Sequence, residues 1–202
     1  MRAAKKIKIK PLFCFADSGI VAQARWGASP NVDDRPMPDD ISLIVIHNIS
    51  LPPARFGGKF VTQLFTNTLK PHAHPFFATL QGLRVSAHFF IRRNGALIQF
   101  VDCARRAWHA GASTWQNKER CNDFSIGIEL EGTDTTPYRS AQYKTLNHLL
   151  KRLITRYPIT AITGHETIAP QRKSDPGAAF LWRKVHVPLR FYRSCNTIYI
   201  KR

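Results

Sequence analysis

The four cysteines, Cys14, Cys103, Cys121 and Cys195, lie far apart, with no Cys-x-x-Cys pair among them. Their scatter argues against a cysteine zinc site and leaves no disulfide framework to read. Long apolar runs are missing as well, and nothing approaches the roughly 18 residues that a membrane span requires. Acidic residues are scarce, 13 against 30 Lys and Arg, which gives a formal net charge of +17 over 202 residues. That imbalance favours polyanions, anionic membranes or acidic small substrates, and it carries no information about fold. No repeat or low-complexity tract is present. What remains is an ordinary globular composition and a length that suits one well-buried core rather than two.

The N-terminus is basic from Met1 to Lys10 and continues into the short apolar run Pro11-Leu12-Phe13-Cys14-Phe15-Ala16, which Asp17, Ser18 and Gly19 end. A secretory segment needs an apolar stretch of roughly 7–15 residues, and a lipidated cysteine is preceded by small residues where Phe13 stands here. The expectation is a cytoplasmic protein with a flexible basic extension over residues 1–18.

Residues 27–40, rich in Pro, Asp and Asn, read as a loop. Ile41 to Ile46 is a nearly unbroken aliphatic, β-branched run that predicts a strand buried on both faces and ending at His47-Asn48. After a loop with Pro52-Pro53 and Gly57-Gly58, Phe60 to Phe65 is amphipathic. Val85–Arg92 and Ala96–Val101 flank Asn94-Gly95, a strong hairpin signal. Ser125 to Leu130 predicts another strand. From Ser140 the residues Tyr143, Leu146, Leu150, Leu153, Ile154 and Tyr157 recur at helical spacing until Pro158 stops them. A short strand over Ala161–Thr163, a loop over Pro170–Gly177, a last helix over Ala178–Val185 and an irregular tail over residues 187–202 complete the expectation. Together these predict one α/β domain over residues 19–186, a mixed β-sheet flanked by helices.

Three segments at or after strand ends carry metal-competent side chains: His47, His165 and Asp175. Imidazole and carboxylate are usual ligands of a catalytic zinc that keeps a fourth position for water. Spacing alone argues weakly for this, because a strand-end histidine is more often a hydrogen-bonded structural residue and Asp-Pro-Gly is usually just a turn. Two further residues change the weighing. Glu129 closes the strand Ile126-Gly127-Ile128-Glu129, where a buried carboxylate is costly unless paired or functional. Lys173 lies two residues before Asp175 and would otherwise count as a solvated loop charge. The five together supply what metal-assisted acyl hydrolysis needs: a cation that activates water, a carboxylate that moves its proton, and an ammonium for the oxyanion.

The segments Ile46-His47-Asn48-Ile49-Ser50-Leu51-Pro52-Pro53, Arg84-Val85-Ser86-Ala87-His88, Ala107-Trp108-His109-Ala110-Gly111, the run from Arg120 to Gly132, Thr163-Gly164-His165 and Arg172-Lys173-Ser174-Asp175-Pro176-Gly177 form one ordered set. This set closely resembles the amidase_2 family in its cytoplasmic, 1,6-anhydro-N-acetylmuramyl-L-alanine amidase branch, from about Gly19 to about Val185. The resemblance implies one zinc ion held by His47, His165 and Asp175. It implies an acid/base role for Glu129, an oxyanion-stabilising role for Lys173, and muropeptide contacts from Asn48, Arg84, Trp108 and Arg120. It further implies an anhydro-muropeptide substrate in peptidoglycan recycling, with no nucleic-acid, membrane or obligatory protein partner.

Rival readings are an amidase acting on intact cell wall, a peptidoglycan-recognition module without catalysis, and a nucleic-acid binder. The second typically lacks a zinc ligand, and the third rests on charge alone because the Lys and Arg are scattered. The Pro71-His72-Ala73-His74-Pro75 insert is expected to be an exposed loop rather than a metal site. His88 and His109 are expected to support the site or the core rather than to ligate, and Cys121 to serve packing.

Overall fold

A computed structural model of the chain describes residues 19–187 and 190–201; the basic extension expected over residues 1–18 lies outside them. The strands are β1 (Arg25–Trp26), β2 (Val32–Asp33), β3 (Leu43–Ile49), β4 (Phe89–Ile91), β5 (Leu97–Gln99), β6 (Arg106–Ala107), β7 (Thr114–Trp115), β8 (Lys118–Glu119), β9 (Ser125–Glu131), β10 (Ala161–Gly164), β11 (Phe191–Ser194) and β12 (Thr197–Ile200). The helices are α1 (Phe60–Phe65), α2 (Pro75–Ala78), α3 (Ser140–Arg156) and α4 (His165–Ile168). Eight strands form one sheet in the order β1-β5-β4-β9-β3-β10-β12-β11. At its centre β3 pairs in parallel with both β9 and β10, while the β4–β5 and β11–β12 hairpins are antiparallel. The mixed α/β sheet predicted from the sequence is what forms.

Side chains alternate across a strand with period two, and that alternation divides the sheet into two kinds of face. Ile44 and Ile46 of β3, Ile126, Ile128 and Leu130 of β9, and Ile162 of β10 all enter one core cluster. Helix α3 covers it, because its buried residues Leu146, Leu149, Leu150, Leu153 and Ile154 fall on one stripe at 3.6-residue spacing. Fully burying each such side chain contributes roughly 1.5–3 kcal/mol. Truncating one of them, as in Leu150→Ala, is expected to cost about 2–5 kcal/mol.

The alternate residues, Leu43, Val45 and His47 on β3 and Ser125, Gly127 and Glu129 on β9, take the opposite face. The register places them side by side, with Leu43 against Ser125, Val45 against Gly127 and His47 against Glu129. The excursion between β5 and β9 lies over this face, and Ala110, Cys121 and Phe124 from it pack with Leu43 and Val45.

Three expectations are corrected. Strand β3 does not end at His47-Asn48 but runs on to Ile49, so the imidazole is held within a strand. The helix expected over 178–185 shrinks to one 3-10 turn, Trp182–Lys184. The tail expected to be irregular instead forms the β11–β12 hairpin, whose inner strand adds to the sheet beside β10. There Thr197, Ile198 and Ile200 are buried, an apolar pattern too short to stand out in a basic, polar stretch. The His72/His74 insert is exposed and short-helical, and His74 caps α2 by accepting from Phe76 N. No helix among the described residues is long and apolar enough to cross a membrane.

Candidate active site

Three elements bring three donors together. His47 projects from the centre of β3. His165 opens α4 directly after β10, the other neighbour of β3. Asp175 follows in the loop beyond α4, which Glu166 N ties back by donating to the Asp175 carbonyl at 2.9 Å. Two residues on, Gly177 has φ +76, and a Cβ there would lie 2.2 Å from the backbone of Asp134, so only glycine lets this loop close against the sheet end.

The result is nearly an equilateral triangle. His47 Nδ1 and His165 Nδ1 are 3.0 Å apart, and each lies 3.1 Å from Asp175 Oδ2. Both histidines are buried, and Asp175 is partly exposed. His165 Nε2 faces the carbonyl of Ala110 at 3.2 Å. A carbonyl can only accept, so Nε2 carries the hydrogen and Nδ1 offers a lone pair to the triangle. Burial first, and then the neighbouring His165, press the pKa of His47 down to about 4, so that its ring stays uncharged. Two imidazole nitrogens and one carboxylate oxygen converging on a single point constitute a donor set for a metal ion.

Glu129 stands beside His47 in the β3–β9 register, and its Oε2 is buried without a hydrogen-bond partner. Burial, and then the charge of Asp175, raise its pKa well above the usual carboxylate range, against the opposing pull of Lys173. A cavity of about 280 Å³ opens over the triangle, with Asn48, Trp108, Glu129 and Lys173 among its walls. Two further depressions adjoin it, one past Asn48, Asp134 and Arg172, the other past Arg84, Trp108 and Arg172. Lys173 lines all three, which makes it the cation shared by the whole groove.

Of the residues singled out for substrate contact, Asn48, Trp108 and Arg84 line this groove. Asn48 is fixed there by Nδ2, which donates to Asp134 Oδ1 at 2.7 Å and to the Pro176 carbonyl at 3.2 Å. Arg120 is not among the residues lining these depressions. It is exposed, and its guanidinium pairs with Asp123 at 3.1 Å. Sequence reasoning passed over Arg172, which donates to the carbonyls of Ala110 and Ala112 and so ties the excursion between β5 and β9 to the Lys173 loop. Its place beside Lys173 in the same motif was the available signal. Asp134 was also passed over, since nothing in the sequence shows that it reaches Asn48.

Known proteins are similar to this chain in sequence and fold. The family model for N-acetylmuramoyl-L-alanine amidase matches residues 37–178. The 1,6-anhydro-N-acetylmuramyl-L-alanine amidase AmpD of Citrobacter freundii is 56% identical over 170 residues, covering 83% of this chain and 91% of the relative. A crystal structure of a Se-Met AmpD derivative superposes with a TM-score of 0.82 at 54% identity, covering 85% of this chain and 97% of that one. The Escherichia coli amidase AmiD, solved with the substrate anhydro-N-acetylmuramic acid-L-Ala-D-gamma-Glu-L-Lys, gives a TM-score of 0.53 at 32% identity, covering 75% of this chain and 58% of that one. With a family model spanning most of the fold, and a relative matched over nearly its whole length at more than half identity, the chain belongs to the N-acetylmuramoyl-L-alanine amidase family of enzymes.

Proposed function

We propose that the protein is a zinc-dependent amidase of anhydro-muropeptide recycling in the cytoplasm, cleaving the amide between the lactyl group of 1,6-anhydro-N-acetylmuramic acid and L-alanine. The observation that carries this reading is the triangle of His47, His165 and Asp175 at the floor of a groove walled by Glu129 and Lys173. A four-coordinate zinc with bonds of about 2.0–2.1 Å holds tetrahedral ligands about 3.3–3.4 Å apart. The edges of 3.0 and 3.1 Å match that span with a small expansion. Two nitrogens and one oxygen also form a common catalytic zinc set. When bound there, zinc polarises a carbonyl and lowers the pKa of water.

The chain's own residues supply the remaining parts. Glu129 takes the proton of the attacking water and returns it to the leaving alanine amine. Its raised pKa suits both halves of that exchange, since a more basic carboxylate accepts readily and is still a competent acid afterwards. Lys173 Nζ donates to the oxyanion that develops at the lactyl carbonyl. Because Nδ2 of Asn48 is already committed, its Oδ1 is the atom left to meet a substrate N–H. Trp108 offers an apolar face, and Arg84 at the rim offers a fork for a stem carboxylate. Arg120, exposed and paired with Asp123, offers a second guanidinium for a stem carboxylate.

The test is to incubate purified protein with anhydro-muropeptides and with intact sacculi, with and without chelator, and to identify products by mass. Free peptide and anhydro-muramic acid species should come from the soluble substrate, disappear with chelator and return with zinc. Chelator-insensitive cleavage would refute zinc dependence, and cleavage of sacculi alone would refute the recycling substrate.

A further inference from the structure

His47 touches a fourth group outside the triangle. Its Nε2 lies 2.9 Å from Nδ1 of His109, and the two rings meet edge to face with centroids 5.0 Å apart. The direction of the hydrogen in this contact can be traced from its far end. Ser125 Oγ is 2.5 Å from the carbonyl of Cys121. A carbonyl has no hydrogen to give, so the serine hydroxyl points at it. Only lone pairs of Oγ then remain for His109 Nε2, 3.3 Å away, and Nε2 must carry the hydrogen. In the zinc reading above His47 ligates through Nδ1, so the hydrogen of its ring sits on Nε2, the atom that faces His109 Nδ1. His109 Nδ1 is therefore an acceptor, His47 Nε2 donates to it, and His47 Nδ1 is left bare toward His165 and Asp175.

The seat of His109 is built as tightly as the contact. Its ring lies flat over Gly127 of β9, where a Cβ would stand 2.4–2.6 Å from the ring atoms. Any other residue at 127 would push the imidazole away. The backbone amides of His109 and Ala110 both donate to Asn122 Oδ1, at 3.1 and 2.8 Å. Arg35, only 4% exposed, donates to the carbonyls of Asn122, Asp123 and Ser125, at 3.2, 3.0 and 2.8 Å. It thereby pins the segment that presents Cys121 and Ser125, the far end of the hydrogen-bond chain.

We infer that His109 is a positioning residue: with Ser125 and the Cys121 carbonyl behind it, it holds the His47 ring in the one tautomer that aims an Nδ1 lone pair at the metal. This rests on the zinc reading above. Ala110 does the same for His165 through a carbonyl, so each histidine ligand has its own director. Losing such an outer partner lowers metal affinity by about 10–100-fold.

The experiment measures zinc dissociation constants by chelator competition on the full chain for wild type, His109→Leu and His109→Asn. Long-range proton–nitrogen NMR of the wild-type imidazoles, zinc-loaded and stripped, accompanies it. His109→Leu should weaken zinc by about 10–100-fold. His109→Asn, whose Oδ1 replaces the ring Nδ1 as acceptor, should recover most of that loss. Stripped wild type should show His47 protonated at Nε2. Equal losses in both variants, no loss in His109→Leu, or a His47 protonated at Nδ1 in the stripped protein would each overturn the role of His109 while leaving zinc binding intact. Wild type that takes up no zinc would overturn the parent reading as well. The NMR measurement needs no variant, so it decides even if His109→Leu does not fold.

Discussion

Glu129 is the residue at which stability and activity should trade against each other. Its side chain belongs to the sheet interior, 8% exposed, with Oε2 buried and unpartnered. A buried polar group without a hydrogen bond costs about 1–3 kcal/mol, and a charged one more. Replacing Glu129 by Gln keeps a polar side chain of nearly equal volume but removes the carboxyl whose charged form burial penalises, so the zinc-stripped protein should gain about 1 kcal/mol. For a domain of this size that is a rise of about 2–4 °C in Tm. Removing the proton carrier should at the same time lower turnover on anhydro-muropeptide by about 10²–10⁴-fold. The assay pairs thermal unfolding of stripped wild type and Glu129→Gln at neutral pH with turnover of the zinc-loaded forms. Stripped protein is the right reference, because a nearby cation would itself offset the buried charge. An unchanged or lower Tm would mean that the carboxylate is already satisfied in the fold. Near-normal turnover would remove it from proton transfer.

Lys173→Ala should lower turnover by about 10²–10³-fold, the usual effect of losing an oxyanion donor, while zinc content stays stoichiometric; an unaffected rate would refute its role. Because Lys173 pulls the Glu129 pKa down, the same variant should move the acid limb of the pH–rate profile to higher pH, and a limb that stays put or moves the other way would refute the coupling. Asp175→Ala should lose metal itself, and elemental analysis showing full zinc would overturn the ligand assignment. Acid should destabilise the stripped protein through His47. The unfolded chain binds a proton near 6.5 and the folded one only near 4, so stability is fully present above the higher value and falls as pH drops toward the lower. The span corresponds to about 3 kcal/mol at 1.36 kcal/mol per pKa unit. His88 and His109, lowered well below the ordinary value mainly by burial, act in the same direction. Denaturant midpoints that stay level between those two pH values would count against neutral buried imidazoles.

The central strands, the hairpin at Asn94-Gly95 and the long helix were legible because each rests on a local pattern. Ile41–Ile46 is aliphatic without a break, and Leu146, Leu150 and Leu153 recur at helical spacing. The five chemical residues were recognisable by their types, but their meeting was not. His47 and His165 are 118 positions apart, and only the parallel pairing of β3 with β10 closes that distance. The β11–β12 hairpin escaped notice because its strands are short and their apolar positions sit among Arg190, Arg193 and Lys201. Arg120 shows a further limit: its guanidinium pairs with Asp123 three residues on, a local contact that its place in the motif does not reveal.

The two faces of the sheet divide the work. Even-numbered residues of β3 and β9 (Ile44, Ile46, Ile126, Ile128) hold α3 through apolar contact alone, which tolerates exchange among aliphatic side chains of similar volume. The odd-numbered residues opposite them (His47, Ser125, Gly127, Glu129) answer to geometry instead. In the proposed scheme Ser125 directs His109, Gly127 leaves room for it, His47 ligates and Glu129 transfers the proton, all from adjacent register positions of two paired strands. A register slip of one residue between β3 and β9 would bury aliphatic side chains under the groove and turn the chemistry into the core under α3. The apolar packing that fixes this register is therefore also what sets the separation of ligand, director and base, so core and catalytic geometry are one constraint read from opposite sides of the same strands.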